Sequence, residues 1–254
     1  MKNQYIGDIG DYGKYGLLRF LLRQGIKIGV NWYLTGNDES EDGKFTGYLN
    51  CRNGCADALY DRELFLKLQP FGSKDKQDKK IQDIENADIL PGAAFFDEKL
   101  STSHSSRNER RASRTEWHER AKSELLAKNP DLIFADPDNG TTDEKKAYAK
   151  NGEKYATVKE LKEYYCAGKN VVYYCHKARR SPEHWQKKML EMNSACHDAR
   201  IAVLTFHRGT NRSYIFCIHP EEYDSYNNLI DEFLQTPWGT VPAGGKKIPF
   251  SREM

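Results

Sequence analysis

The 254-residue sequence contains no apolar run approaching the ~20 residues that would span a bilayer. Its opening, Met1-Lys2-Asn3-Gln4-Tyr5, lacks the apolar stretch of a signal peptide. Membrane association is thereby disfavoured, and a soluble cytoplasmic protein is expected. Charge of one sign is lacking too: Lys plus Arg is 39, Asp plus Glu is 37, and the formal net charge is only +2. A global basic field for nucleic acid is excluded, so any basic site must be local. The six cysteines do not form a disulfide framework; scattered through apolar segments of a large domain, they read as reduced thiols. Cys51 and Cys55 have no second pair to complete a zinc site. No GK[ST] ending marks a P-loop, no serine or cysteine nucleophile signature stands out, and there is no internal repeat.

What is present is alternation. Strand-like apolar runs at 29–35, 93–96, 131–135, 170–175, 200–206 and 213–218 are rich in β-branched and aromatic residues. Between them lie segments of helical period at 16–24, 56–69, 109–128, 155–167, 182–196 and 221–234. In the third of these, Trp117, Ala121 and Leu125 recur every four residues among charged neighbours, as in a helix laid on a sheet. Ser181-Pro182 reads as a helix cap followed by a first-turn proline. Such alternation predicts one α/β domain over residues 1–254, with a mostly parallel sheet and helices on both faces. Too few residues separate Phe206 from Ser213 for a crossover, so the last two strands should form an antiparallel hairpin. The stretch 71–87, rich in Lys, Asp and Gln, reads as an exposed loop or helix end.

In an open parallel sheet the ligand site lies beyond the carboxyl ends of the strands. The residues that follow each strand are therefore the candidates. They are Thr35-Gly36-Asn37-Asp38, Asp97-Glu98, Asp136-Pro137-Asp138-Asn139-Gly140, His176-Lys177-Ala178-Arg179-Arg180 and His207-Arg208-Gly209-Thr210-Asn211-Arg212. Acids from the middle strands thus face bases from the later ones. The sharpest motif is Asp136–Gly140, a carboxylate at a strand end with a proline to fix the turn, although each residue is also an ordinary turn former. Asp136 and Asp138, two residues apart, would also suit a divalent metal. The two basic clusters read as a phosphate-binding wall, or as solvated loops. His207 is favoured over His104, His118, His184 and His197, which read as surface residues. The segment Gly7-Asp8-Ile9-Gly10-Asp11-Tyr12-Gly13-Lys14-Tyr15-Gly16 reads either as a flexible entry loop or as backbone able to approach a ligand, with Asp8, Asp11 and Lys14 beside it.

At these residues the chain resembles the small bacterial methyltransferases that modify an adenine N6 of 23S ribosomal RNA. Their amino-terminal arm, H-A-G-N-x-A-D-x-x-K-H, is matched in its glycine, aspartate and lysine by Gly7, Asp11 and Lys14. Asp136-Pro137-Asp138-Asn139 falls where that family has D-P-P-Y, with Asn139 in place of the aromatic residue. The resemblance implies a class I methyltransferase-like fold with an arm (1–15) and an inserted helical segment (about 50–90). It implies S-adenosylmethionine as cofactor, held near Thr35, Gly36, Asn37, Asp97 and Asp11. It further implies methyl transfer to an exocyclic amine held by Asp136 and the Pro137 carbonyl, with Lys14 and the arm closing over the site. The glycine-rich cofactor loop is reduced here to Thr35-Gly36-Asn37-Asp38.

Three functions follow from this reading. The first is a methyltransferase-like enzyme acting on nucleic acid or a nucleotide. In it Asp136, Pro137, Asp138, Asn139 and Lys14 are catalytic, and Asp8, His176, Lys177, Arg179, Arg180, His207, Arg208 and Arg212 bind substrate. The second is a nuclease or phosphodiesterase using Mg²⁺ or Mn²⁺ on Asp136 and Asp138. The third is a catalytically degenerate module that binds nucleic acid or a partner.

Overall fold

The computed structural model describes residues 1–50, 56–101, 103, 106–177, 180–242 and 247–254. The Cys51/Cys55 pair, His104 and Arg179 lie outside the described residues. In chain order the elements begin with α1 (Ile9–Arg23), β1 (Ile28–Asn31), α2 (Arg62–Gly72), α3 (Ile81–Asn86), β2 (Ala94–Phe96), α4 (Arg107–Ala127) and β3 (Leu132–Ala135). A small excursion follows, with β4 (Thr141–Thr142), α5 (Glu144–Ala147) and β5 (Ala156–Thr157). The chain continues through α6 (Val158–Cys166), β6 (Asn170–His176), α7 (Pro182–Met189), α8 (Glu191–Ala195), β7 (Arg200–Phe206) and β8 (Arg212–Ile218). It closes with α9 (Tyr223–Gln235), α10 (Pro237–Thr240) and β9 (Phe250–Arg252).

Seven strands form one sheet in the order β2-β1-β3-β6-β8-β7-β9. The first four are mutually parallel, while β8 runs antiparallel to both β6 and β7, and β9 antiparallel to β7. Five strands therefore share a direction, and the hairpin strand β8 is inserted between β6 and β7, the class I methyltransferase-like arrangement. Side chains alternate across the sheet with period two. Leu132 and Phe134 of β3 enter one core with α1, α2, α3 and α9, while Ile133 and Ala135 enter a second with α4, α6, α7 and α8. Trp117, Ala121 and Leu125 bury α4 against the second face, as their spacing predicts.

Several boundaries differ from those expected of the sequence. Helix α1 begins at Ile9, so the glycine-rich segment is helix from Ile9 onward rather than loop. Asp8 caps it by accepting from Gly10 N at 2.8 Å. The cost of its glycines is offset by close packing: a Cβ on Gly13 would stand 2.6 Å from the Phe206 ring, and one on Gly16 2.3 Å from Trp238. Strand β1 stops at Asn31 instead of Thr35, because Asn31 Oδ1 accepts from Tyr33 N at 3.1 Å and Tyr33 adopts φ 44°. The stretch 71–87 contains α3, whose Ile81 and Ile84 are fully buried. The segment 182–196 forms two helices that meet at Leu190. β9 pairs with β7 outside the hairpin, so β7 is not an edge. His118 is buried between α4 and α6, 3.2 Å from Glu163 and edge-on to Tyr164, and is not a surface residue. Burial pushes its pKa down. Among the described residues, no helix is long and apolar enough to cross a membrane, and Cys166, Cys175, Cys196 and Cys217 are free thiols.

Candidate functional site

A cavity of about 310 Å³ opens at the carboxyl ends of β3 and β6, between these strands, β8 and the start of α1. Three walls are recognisable. Asp136, Pro137, Asp138 and Asn139 follow β3; Asp8, Asp11 and Lys14 come from α1 and its cap; His176 and Arg212 come from β6 and β8. These nine residues, each given a catalytic, cofactor-binding or substrate-binding role from the sequence, therefore line one cavity.

The turn after β3 requires its glycine. Gly140 has φ +93°, and a Cβ there would lie 2.7 Å from Cys175 Sγ and 3.0 Å from Cys175 Cα. Gly140 also hands the chain to β4, which pairs with β5 and anchors the far side of the turn.

Lys14 ties two walls together. Its Nζ lies 2.7 Å from Asp11 Oδ1 and 2.7 Å from Asp136 Oδ2, with all three residues buried. Burial opposes the Lys14 charge, but the two carboxylates outweigh it and hold the ammonium above its ordinary range. Asp11 is moved the other way from a typical paired acid. Burial, aided by repulsion from Asp136, raises its pKa to about 6 despite Lys14. Asp8 accepts from Arg212 Nη2 at 3.1 Å, linking α1 to β8. Burial, then Arg212 and Arg180, lower the pKa of His176.

Asp138 has a different neighbourhood. One oxygen is 2.7 Å from the α-amino group of Met1, and the other accepts from Thr35 Oγ1 at 3.3 Å. The same α-amino group donates to the carbonyls of Asp136 at 2.8 Å and Tyr33 at 3.1 Å. The turn thus presents an oxygen-rich corner that accepts a primary amine.

Several expected site residues stand elsewhere. Thr35 lies under the Met1–Lys2 backbone, its N–H donating to the Met1 carbonyl at 2.8 Å. Gly36 and Asn37 lie outside the cavity wall, and Asn37 accepts from Gln4 N at 3.1 Å. Asp97, at the end of β2, is taken up by Gln82. Of the five positions expected to cradle S-adenosylmethionine, only Asp11 lines the cavity, and it is engaged by Lys14 and Tyr15. The other four lie outside the wall of this cavity. Lys177 pairs with Glu253 at 2.6 Å, and Arg208 pairs with Asp57. The His207 ring is held by Ser251 Oγ at 2.7 Å and Asn211 at 3.2 Å. These three follow the expected strands, but β9 and the segment around Asp57 draw them away from the cavity. Arg180 donates to the carbonyls of His176 and Lys177 and lines a second hollow.

That second hollow, of about 470 Å³, shares Asn139 and His176 with the first. Lys146, Arg180, His184 and Lys188 line it, opposed by Asp143 and Glu191. An acidic, aromatic cavity thus adjoins a groove richer in cations. Metal binding fits less well. Asp136 and Asp138 are already matched by Lys14 and the Met1 amine. Among the described residues, no three His, Cys, Asp or Glu side chains gather as a ligand group.

Sequence reasoning missed Tyr5, Asp42, Phe45, Tyr174 and Tyr214 in the cavity wall. Two of these were accessible to it. Tyr174 precedes His176 by two residues and Tyr214 follows Arg212 by two, so each pair shares a sheet face, and both pairs are matched across β6 and β8. Asp42 and Phe45 lie in the loop after β1, where no period operates.

No family model matches the chain, and no curated protein matches it. Among solved structures, it is similar to a protein from Legionella pneumophila str. Philadelphia 1 of family-model DUF519. The identity is 15% over 98% of this chain and 95% of that one, with a TM-score of 0.44.

Proposed function

We propose that this chain is a methyltransferase-like enzyme acting on an amine-bearing base of a nucleic acid or nucleotide, with Asp136, Pro137 and Asp138 holding the target amine. One observation carries the reading: Asp136, Pro137 and Asp138 of the turn after β3 line the same cavity as the aromatic residues Tyr5, Phe45 and Tyr174. Carboxylates accept from an exocyclic amine, and aromatic rings stack on any base. Adenine, cytosine and guanine carry such an amine, whereas uracil would turn carbonyl oxygen towards carboxylate. Lys14 Nζ holds Asp136 at 2.7 Å, and the Met1 amine, 2.7 Å from Asp138, occupies the place that a target amine would take. The adjoining groove supports a ligand that carries phosphate, since Arg180 and the lysines supply charge-assisted donors. A base within a duplex would have to be unstacked to enter. S-adenosylmethionine would supply an electrophilic methyl group. Of the residues expected to hold it, Asp11 lines this cavity.

Calorimetric titration with adenosine, cytidine and uridine monophosphates tests the base site. Adenosine and cytidine monophosphates should bind more tightly than the uridine compound, and Asp138→Ala should weaken them by about tenfold or more, as for a hydrogen bond to a charged group. Equal affinity for all three nucleotides would defeat the proposal. The displaced cofactor residues favour one second reading, a module that binds the same ligands without turnover. Transfer of label from methyl-labelled S-adenosylmethionine to RNA or DNA separates the two: nucleotide binding with no transfer, and no heat from the cofactor, selects the module.

A further inference from the structure

Phe45 is held in an unusual way for an apolar residue. Its carbonyl accepts from Ile9 N at 3.0 Å, and its own N–H donates to Asp8 Oδ2 at 3.2 Å. Both bonds reach the start of α1, so the backbone is fixed beside the helix that carries Asp11 and Lys14. The residue is nevertheless 54% exposed, one of only three large hydrophobic residues so exposed among the described residues. It also lines the cavity, together with Asp42 and Gly43 of the same loop. A pinned backbone that carries an exposed aromatic residue in the wall of an acidic hollow suits a stacking surface.

We infer that Phe45 is the platform on which the bound base stacks. The inference rests on the base-binding reading above and adds a substrate-contacting residue that no sequence motif marks. The ring supplies a π-face that tolerates any base, while the aspartates across the cavity supply the choice of amine. Division of labour of this kind predicts that changing Phe45 lowers affinity for every base alike and leaves the order of preference unchanged. Leu66 on α2 is exposed to a similar degree, 51%, but does not line the cavity, which makes it the matched control.

The test uses the full chain with adenosine and cytidine monophosphates and a short single-stranded oligoadenylate as probes, read by calorimetry. Phe45→Ala is expected to weaken all three by about 5- to 150-fold, the range for loss of one base–aromatic stack. Phe45→Leu should lose nearly as much, since it keeps the apolarity but not the π-face, and Phe45→Trp should keep or improve the affinity. Leu66→Ala should bind as the wild type does. The melting temperature of Phe45→Ala should match the wild type, because the ring is not in the core. If Phe45→Ala binds like the wild type while Asp138→Ala does not, the platform is refuted and the base site stands. If Phe45→Leu binds as tightly as Phe45, contact rather than stacking is responsible and the inference also falls. A wild-type chain that binds none of the probes overturns both readings together.

Discussion

At the scale of single residues, the cluster Asp11–Lys14–Asp136 places one cation between two carboxylates, out of water. Such a cluster retains one negative charge more than it can neutralise, which is why burial succeeds in raising Asp11 to about 6 from an ordinary value of 3.8. Between those two values the folded chain holds a proton that the unfolded chain has lost. The stability contributed by Asp11 is therefore full below about pH 4 and declines as pH rises through about 6. Asp11→Asn cannot titrate, so the stability of the wild type relative to this variant should fall from pH 4 to pH 7 in urea melts. A gap that grows in favour of the wild type over that range would contradict the assignment. Removing the cation is more severe. Lys14→Met leaves two buried carboxylates unmatched and should cost about 3–5 kcal/mol in the same melts. A loss under about 1 kcal/mol would mean that the cluster is hydrated.

At the scale of elements, α1 decides the shape of the site. Its Gly13 lets the helix lie against Phe206 of β7, bringing Asp11 and Lys14 to the strand ends. In a solvent-facing helix, Gly→Ala would stabilise by roughly 1 kcal/mol. Here the added methyl meets a packed ring, and Gly13→Ala should destabilise by about 1–3 kcal/mol, measured by thermal melting. A stabilised variant would show that the close approach is not needed. The same helix shows why local pattern stops short. Four glycines in ten residues favour a loop by propensity, yet three of them lie in α1, packed against Arg212, Phe206 and Trp238, all distant in sequence. Elements with a clear period were more legible: α4 through Trp117, Ala121 and Leu125, and the β7–β8 hairpin through its short connection.

At the scale of the whole molecule, one sheet carries two cores, and alternate residues of β3, β6, β7 and β8 feed each of them. Neither face can lose its packing without exposing the other side of the same strands. Chemical unfolding followed by tryptophan fluorescence and by far-ultraviolet circular dichroism should accordingly give coincident single transitions. Two separated transitions would divide the chain into independent units. From residue order alone came the α/β alternation, and the expected residues Asp8, Asp11, Lys14, Asp136–Asn139, His176 and Arg212 line one cavity at the strand ends, because hydrophobic period and chain direction are local properties. Which polar side chains stay in the cavity was settled only by the folded chain. Lys177, His207 and Arg208 leave it because Glu253, Ser251 and Asp57, each far away in the sequence, offer them nearer partners. Phe45 enters the wall because a loop without periodicity is pinned to a distant helix cap. Contacts between segments far apart in sequence are fixed by packing and charge in three dimensions, and no local pattern encodes them.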